Sequence, residues 1–263
     1  DENVQTDDET AKLYGVKRIH ISQNAIYVID ANDDLWGWGD NSYNKMGQGH
    51  SYLIAKPTKL LEGRTEGETG VKAKNVWGGS MNTYVLDTNG QLWGAGTNTE
   101  GALSQNNTNI YNNFVKINID GVNTNDIKYI QVGKSMQTSC AFMLLNNGDI
   151  YGVGYGGNGQ LGLNRKTNYI LYEFTNLANF DTKWKNIKDV YAQGIITVAL
   201  TNDGILYGTG YNVEGLLGVG DKEMKYALTH IIDNIEEFGL IANGTIIAKS
   251  TTGTFYIRNG TAM

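Results

Sequence analysis

A glycine motif in the middle of the chain has the spacing of a dinucleotide-binding loop. Residues 152–157 read Gly-Val-Gly-Tyr-Gly-Gly and match the G-x-G-x-x-G pattern. That chemistry requires a helix to begin at the third glycine, because the N–H groups of its first turn bind the pyrophosphate. A second glycine-rich turn sequence, residues 158–162, follows instead. We therefore expect a strand and a turn here, and no nucleotide site.

Residues 30–34, Asp-Ala-Asn-Asp-Asp, have the acidic start of a calcium loop. The sixth position of such a loop requires glycine and the twelfth requires glutamate. Leu35 and Asn41 occupy those positions. We interpret the run as a hairpin turn with solvated carboxylates, and no metal site is predicted.

The other reactive side chains are isolated from one another along the sequence. His20, His50 and His230 have no Ser or Cys motif beside them that could supply a nucleophile. The single cysteine, Cys140, begins an apolar run, which favours a buried and unreactive thiol. The sequence therefore predicts no enzyme and no cofactor.

The composition narrows the class of protein further. The chain has 263 residues and a formal net charge of −6, so its field repels phosphate backbones and we expect no nucleic acid partner. No apolar run approaches the ~18 residues of a membrane span, so no membrane insertion is expected. There are 34 glycines and one proline, which indicates many tight turns rather than long helices.

The glycines recur periodically because the sequence is built of repeats. An apolar-aromatic-Gly-x-Gly anchor occurs four times at intervals of roughly 57 residues, and a degenerate fifth copy occupies Phe255–Arg258. Each full anchor follows an apolar run and a turn such as Asn-Gly or Asp-Gly, the strongest short signal of a β-hairpin. The anchors are residues 35–39, 92–96, 150–154 and 206–210. Several short strands per repeat predict an all-β fold made of β-propeller blades.

These repeats resemble those of the regulator of chromosome condensation family, in an RCC1-like form of bacterial type. The matching residues are Ala199-Leu200, Asp203-Gly204, Leu206-Tyr207 and Leu217-Gly218 in the fourth repeat, with Asn147-Gly148, Ile150-Tyr151 and residues 158–162 in the third. The resemblance covers nearly the whole chain and implies RCC1-like blades, about four full repeats plus the degenerate fifth. Family propellers commonly have seven blades, so we expect a partial or open ring.

The family's exchange factors use histidine and polar side chains on one face of the propeller and a basic tail. In this chain that histidine is missing from every copy of the repeat, and the residues nearby are Asn24, Asn82, Gln137 and Ile196. The first hypothesis is therefore a non-enzymatic protein-binding module. The alternative is a guanine-nucleotide exchange or regulatory factor for a small GTPase.

The hairpin order assigns the loops to two edges of each blade. If the strand before the Asn89-Gly90 turn runs up, its neighbours run down, so loop 79–82 and the loop after Gly96 emerge on one face. We call this the loop face and predict that it binds the partner, because the opposite turns are minimal. Its candidate partner-binding residues are Trp38, Tyr43, Tyr52, Met81, Glu100, Tyr111, Met136, Tyr155, Tyr169 and Tyr211.

The sequence also suggests how the chain is organised and where it acts. Residues 1–10 are expected to be a flexible acidic N-terminus and residues 11–263 a single propeller domain. The chain begins with Asp rather than Met, so we expect a removed leader or a piece of a longer protein. A secreted or cell-surface location is favoured, with the cytoplasm as the alternative. The expected partner is a protein, and a homodimer or a longer chain would complete the ring.

Overall fold

The computed structural model describes residues 4–6, 11–133, 139–240 and 244–258. Within these ranges the chain forms 21 β-strands and four short 3₁₀ turns, and no α-helix. It divides into two compact units, Asp1–Asn125 and Asp126–Met263. The 3₁₀ turns are Ser42–Asn44, Thr124–Asp126, Leu177–Asn179 and Thr182–Trp184.

The first unit contains a short hairpin and two four-stranded antiparallel sheets, in which neighbouring strands follow chain order. The hairpin pairs β1 (Val4–Thr6) with β2 (Ala11–Leu13). Blade 1 consists of β3 (Val16–Ile21), β4 (Ala25–Asp30), β5 (Leu35–Gly39) and β6 (Ile54–Lys59). Blade 2 consists of β7 (Ala73–Gly78), β8 (Asn82–Asp87), β9 (Leu92–Gly96) and β10 (Tyr111–Ile117).

The second unit contains two four-stranded sheets and one three-stranded sheet with the same meander. Blade 3 consists of β11 (Ile127–Val132), β12 (Cys140–Leu145), β13 (Ile150–Tyr155) and β14 (Ile170–Asn176). Blade 4 consists of β15 (Ile187–Gln193), β16 (Ile196–Thr201), β17 (Leu206–Gly210) and β18 (Lys225–Ile232). Blade 5 consists of β19 (Ile235–Leu240), β20 (Ile246–Ser250) and β21 (Phe255–Arg258).

This architecture confirms the predicted fold class and blade count. The four anchors are the third strands of four complete blades, and the degenerate fifth anchor is β21, the third strand of a blade with three strands among the described residues. The second strands of blades 2, 3 and 4 are buried along their whole length, because both faces of these blades pack against apolar neighbours. The partial or open state of the ring stays a prediction, as do the single-domain boundary and the flexibility of residues 1–10.

The last glycine of each anchor lies against the backbone of the second strand. These residues are Gly39, Gly96, Gly154 and Gly210, with φ between +96° and +115°. A Cβ atom on Gly96 would lie 2.1 Å from the carbonyl oxygen of Met81, and one on Gly210 would lie 2.0 Å from that of Ile195. No side chain fits so close to a backbone oxygen, so the sequence must supply glycine.

The first glycine of each anchor makes room for an apolar side chain instead. A Cβ atom on Gly37 would lie 2.6 Å from Leu60 Cδ1, and one on Gly94 would lie 2.8 Å from Ile117 Cδ1. Both branched side chains come from the end of the fourth strand or just after it and are buried. The Gly-x-Gly spacing therefore joins two different packing requirements, one toward a side chain and one toward a backbone carbonyl.

The carboxylate of Asp30 is buried, so the expectation of solvated carboxylates was wrong for this residue. Its Oδ1 accepts hydrogen bonds from the N–H groups of Asn32 and Asp34, and its Oδ2 accepts from Trp36 Nε1 at 2.9 Å. Asp87 makes the same three kinds of contact in blade 2, including one from Trp93 Nε1 at 2.9 Å. The aspartate before the turn thus binds the turn to the anchor aromatic.

Replacing Gly96 by alanine tests the close backbone approach. We expect Gly96→Ala to lower the free energy of unfolding by about 2 kcal/mol or more, since the new Cβ must displace the Met81 carbonyl and φ is positive. Gly239→Ala is the matched control, because its Cβ meets nothing within 4 Å and its φ is not positive. Urea unfolding followed by circular dichroism measures both. Equal stability of the two variants would contradict this account of the anchor.

Candidate binding face

Hydrogen bonds confirm that two loops emerge together at one edge of each full blade. Asp40 N donates to Asn24 O at 2.8 Å in blade 1, and Thr97 N donates to Met81 O at 3.2 Å in blade 2. Blades 3 and 4 make the same contact, through Tyr155 N and Tyr211 N. The loops between the third and fourth strands are residues 40–53, 97–110, 156–169 and 211–224, all of the same length. By strand pairing the blade 3 loop is nevertheless longer, because Gly154 pairs with a residue 17 positions on and the other last anchor glycines pair with residues 15 positions on.

A buried asparagine holds each of three such loops closed. Asn98 Oδ1 accepts from Leu103 N at 2.8 Å, and its Nδ2 donates to Asn107 O at 2.8 Å. Asn41 and Asn212 bridge their loops in the same way. Sequence reasoning missed these residues, although each one stands two positions after the last anchor glycine.

Blade 3 has glycine at the corresponding position, Gly156, and closes its loop differently. Gly156 N donates to Tyr169 O at 3.0 Å, and the Tyr169 ring fills the space beside the glycine, 2.2 Å from where a Cβ would stand. Burial of the ring raises the pKa of Tyr169 above its usual value. Tyr169, a predicted contact residue, therefore packs inside the loop.

A buried lysine connects the loop edges of blades 1 and 2. The Lys45 side chain is 1% exposed, and its Nζ donates to Asp40 Oδ2 at 2.5 Å and to Ser80 O at 3.3 Å. Ser80 Oγ donates in turn to Gln23 Oε1. Burial alone would raise the pKa of Asp40, but hydrogen bonds from Lys45 and Ser42 outweigh it and lower that pKa below its usual value. The cluster fixes the loops of two adjacent blades.

The turn beside Lys45 is strained and presents an aromatic ring. Tyr43 and Asn44 both have left-handed backbones, with φ of 63° and 57°, which is rare for a bulky aromatic residue. Asn44 Nδ2 donates to Tyr111 O at 3.3 Å, so the blade 1 loop rests on the blade 2 loop. Such strain persists where surrounding contacts hold it, and it is frequent at functional sites.

Exposed apolar side chains cluster along these two loops in the chain. Tyr43 is 38% exposed, Tyr52 78%, Leu53 71% and Ile110 66%. Tyr52 stacks on His50 with ring centroids 5.4 Å apart, and Ile110 directly precedes Tyr111, which binds Asn44. We call Tyr43, Tyr52, Leu53 and Ile110 the loop patch. Leu53 and Ile110 were not predicted, although an apolar residue in an Asn-rich loop is a usable signal.

The predicted contact residues divide by exposure. Tyr43 and Tyr52 are exposed, whereas Met81 is buried and Trp38 packs against the core of the first unit. The hydroxyl of Tyr155 donates to Asn168 Oδ1 at 3.2 Å. Met136 lies outside the described residues. The half-buried members are Trp38, Glu100, Tyr111, Tyr155, Tyr169 and Tyr211.

The motifs with chemical potential occupy structural positions. Residues 152–155 of the glycine motif lie in strand β13, where the dinucleotide loop would need a turn and then a helix. His20 Nε2 accepts from Gly78 N at 2.9 Å, and the Cys140 thiol is buried as expected. Among the described residues no group of three or more His, Cys, Asp or Glu side chains could hold a metal ion. In the same residues no helix is long and apolar enough to cross a membrane.

Comparison with known proteins shows which repeats these blades resemble. No family model matches the chain. The ultraviolet-B receptor UVR8 of Arabidopsis thaliana is 26% identical over 190 residues, which cover 72% of this chain and 39% of the receptor. An RCC1 repeat-containing protein of Dictyostelium discoideum is 22% identical over 209 residues, 78% of this chain and 42% of that protein. The chain carries RCC1-like repeats.

Other relatives and solved structures agree with this RCC1-like assignment. The human X-linked retinitis pigmentosa GTPase regulator is 29% identical over 141 residues, 54% of this chain and 13% of that protein. Human WBSCR16 superimposes with a TM-score of 0.71 at 17% identity, covering 93% of this chain and 61% of that one. Prp20p of Saccharomyces cerevisiae gives 0.68 at 18%, covering 86% and 52%. The RCC1-like chain thus shares their propeller fold and spans less than two thirds of each.

The Asp40–Lys45 pair predicts a specific pH dependence. Because the pKa of Asp40 is lowered on folding, its contribution to stability is present above the usual pKa near 3.8 and is lost as pH falls through the folded value. We expect Asp40→Asn to cost about 2 kcal/mol at pH 7, since it leaves the buried Lys45 ammonium without its carboxylate. The variant and the wild type should converge as pH falls through the lowered pKa of Asp40.

Lys45→Met is the matched control for this pair. It removes the buried charge and leaves Asp40, which is 29% exposed and bonded by Ser42, in contact with water. We therefore expect it to cost less than Asp40→Asn. Thermal unfolding from pH 2 to 7 compares the three proteins. A larger loss for Lys45→Met, or a constant difference for Asp40→Asn across this range, would contradict the interpretation.

Proposed function

We propose that this chain is a non-enzymatic protein-binding module that uses its loop face. The observation that carries the proposal is the loop patch, in which four large apolar side chains are exposed on loops held by buried polar contacts. A rigid aromatic and aliphatic group of this kind is typical of an interface centre, because little conformational entropy is lost when it is covered. Of the predicted residues, Tyr43 and Tyr52 become the foremost contacts.

The comparisons support binding of protein partners at the level of the fold. One solved structure of yeast Prp20p is described with its binding properties to Gsp1p and histones, and another holds yeast RCC1 with Kap60. Those partners are properties of the yeast protein. For this chain we propose a protein ligand without naming it. The absence of nucleic acid binding is predicted from the acidic charge, and the absence of membrane insertion from the lack of a long apolar run; both stay predictions.

The location and source of the chain are also proposals. We propose a bacterial protein that is secreted or displayed on the cell surface, with the cytoplasm as the alternative. Fractionation of source cells into medium, envelope and cytosol, followed by immunoblotting of each fraction, distinguishes these places. Completion of the propeller by a second copy or by further blades of a longer chain is likewise proposed.

Substitution of the loop patch tests the proposed function. A variant with Tyr43→Ser, Tyr52→Ser, Leu53→Ser and Ile110→Ser should lose retention of its protein partner at least tenfold, because the apolar contact area is removed while the buried scaffold is kept. Affinity capture from a source-cell extract with quantitative mass spectrometry measures retention, and unfolding curves verify the fold.

The control variant changes exposed apolar residues outside the anchor loops, namely Tyr172→Ser in β14 and Phe180→Ser in the connection between blades 3 and 4. It should retain the same protein as the wild type, which separates a specific patch from general surface hydrophobicity. Equal retention by the wild type and the loop patch variant would refute the proposed face.

A second candidate function is exchange or regulation of a small GTPase. The 29% identity to a human GTPase regulator is the observation that favours it. Release of fluorescent GDP from a panel of small GTPases distinguishes it from simple binding. We expect GDP to be released at its spontaneous rate whether or not the chain is present, since the histidine of the family's exchange factors is missing from every repeat. Acceleration of tenfold or more would favour the alternative over the first proposal.

A further inference from the structure

The two ends of the repeat series expose apolar positions that are buried in every intervening blade. The first strand of each blade carries a β-bulge at one place, after Val16, Ala73, Ile127, Ile187 and Ile235. This shared bulge aligns the five blades residue by residue. It defines a leading face, formed by the bulge-preceding residue and the residues three and five positions later.

The leading face is buried in blades 2 to 4. In blade 5, Ile235 and Leu240 are buried and Phe238 is half-buried. Its members in blades 2 to 5 are Ala73, Val76, Gly78, Ile127, Ile130, Val132, Ile187, Val190, Ala192, Ile235, Phe238 and Leu240. In blade 1 the same positions are Val16, Ile19 and Ile21, and they are 42%, 64% and 69% exposed. Three apolar residues of the kind that normally fill a core thus face solvent on blade 1.

The opposite, trailing face of each blade shows the reverse pattern. Its second-strand and third-strand positions are fully buried in blades 1 to 4, where they are Ile29, Leu86, Leu144, Leu200, Leu35, Leu92, Ile150 and Leu206. Blade 5 has Lys249 and Phe255 there, and Phe255 is 67% exposed. Ile257, which replaces the first anchor glycine of the other blades, is also 67% exposed.

Inside each unit, these two faces are what adjacent blades bury against each other. In the first unit, Ile29 and Leu35 of the blade 1 trailing face share a core cluster with Ala73 and Val76 of the blade 2 leading face. In the second unit, Val198, Leu200 and Leu206 of blade 4 share one with Ile235 and Leu240 of blade 5. A leading face therefore fits a trailing face, and this chain exposes one of each.

The bulge residues make a repeated contact between adjacent blades, in which a lysine ammonium donates to the backbone carbonyl of the next bulge residue. In the second unit, Lys128 Nζ of blade 3 donates to the carbonyl of the blade 4 bulge residue, Lys188, at 2.7 Å. Lys188 Nζ repeats this toward the blade 5 bulge residue, Glu236, at 2.6 Å. The next leading face would present Lys17 at this place if it belonged to blade 1. At the proposed junction Glu236 has no ammonium with which to repeat this contact, but its carboxylate and the Lys17 ammonium have opposite charges and can pair.

We propose that a second copy of this chain packs the leading face of its blade 1 on the trailing face of blade 5. Val16, Ile19 and Ile21 then cover Phe255, Ile257 and Ile247, the cross-strand partner of Ile257, and Lys17 lies against Glu236. The contact is head-to-tail, because two different faces meet, so it is distinct from a two-fold contact between like faces. It rests on the repeat alignment and does not depend on the loop patch, so either proposal can fail without the other.

Charge substitutions at the two faces test this junction. The full 263-residue chain should exceed the monomer mass in light scattering and sedimentation at about 100 µM. Ile19→Asp and Phe255→Asp should each be monomeric, with an affinity loss of at least tenfold. A mixture of the two variants should form dimers again, because the intact leading face of one meets the intact trailing face of the other. Val213→Asp, an exposed apolar residue elsewhere, should leave the mass unchanged.

A cysteine pair tests the register of the same contact. Lys17→Cys and Glu236→Cys, placed in separate chains, should give a disulfide-linked dimer only when the two variants are mixed under oxidising conditions. The native Cys140 is buried, so it should form no disulfide between chains in the wild type. A wild type that stays monomeric at 100 µM, association that survives Ile19→Asp alone, or a mixture that stays monomeric would overturn the proposal.

Discussion

At the loop edge of every full blade, a backbone carbonyl occupies the space where the last anchor residue would carry a side chain. The contact between Gly96 and the Met81 carbonyl shows how little room there is. Because two strands meet so closely, the loops that follow them start side by side and in a fixed direction. The buried asparagines, the Lys45 cluster and the strained turn at Tyr43 all depend on that shared starting point.

The ion pairs are of two kinds: buried pairs that position loops, and exposed pairs that contribute little to the structure. Lys45 is enclosed and bridges two blades, so its partner Asp40 has little freedom to change. Lys225 and Asp221, in contrast, form a pair at 2.6 Å in which Asp221 is substantially exposed, and an exposed pair contributes little to stability. Burial, rather than the number of ion pairs, decides which charges organise the loop face.

Much of the fold could be predicted because local chemistry and repetition agree. Apolar runs, tight turns and the Gly-x-Gly anchors specify strands within a few residues, and four copies at one period make chance agreement implausible. The edges from which the loops emerge also followed from strand direction. What failed depended on tertiary packing. Nothing in the local sequence distinguishes the buried carboxylate of Asp30 from a solvated one. In blade 3, Gly156 stands where the other blades have the loop-closing asparagine, and the ring that fills its space, Tyr169, lies 13 residues further along the chain.

The spans of the anchor loops bear on how this scaffold can be altered. Between the last anchor glycine and its partner on the fourth strand there are 14 residues in blades 1, 2 and 4 and 16 in blade 3. Internal bonds close these loops, and the one longer loop uses a different closure at Gly156 and Tyr169. The connections between blades leave from the opposite edge and range from residues 60–72 down to residues 233–234. Within 60–72, Leu60, Leu61 and Thr65 are buried, so a tag or fused domain is best inserted at the open position of Gly70. The loop edge suits diversification by substitution.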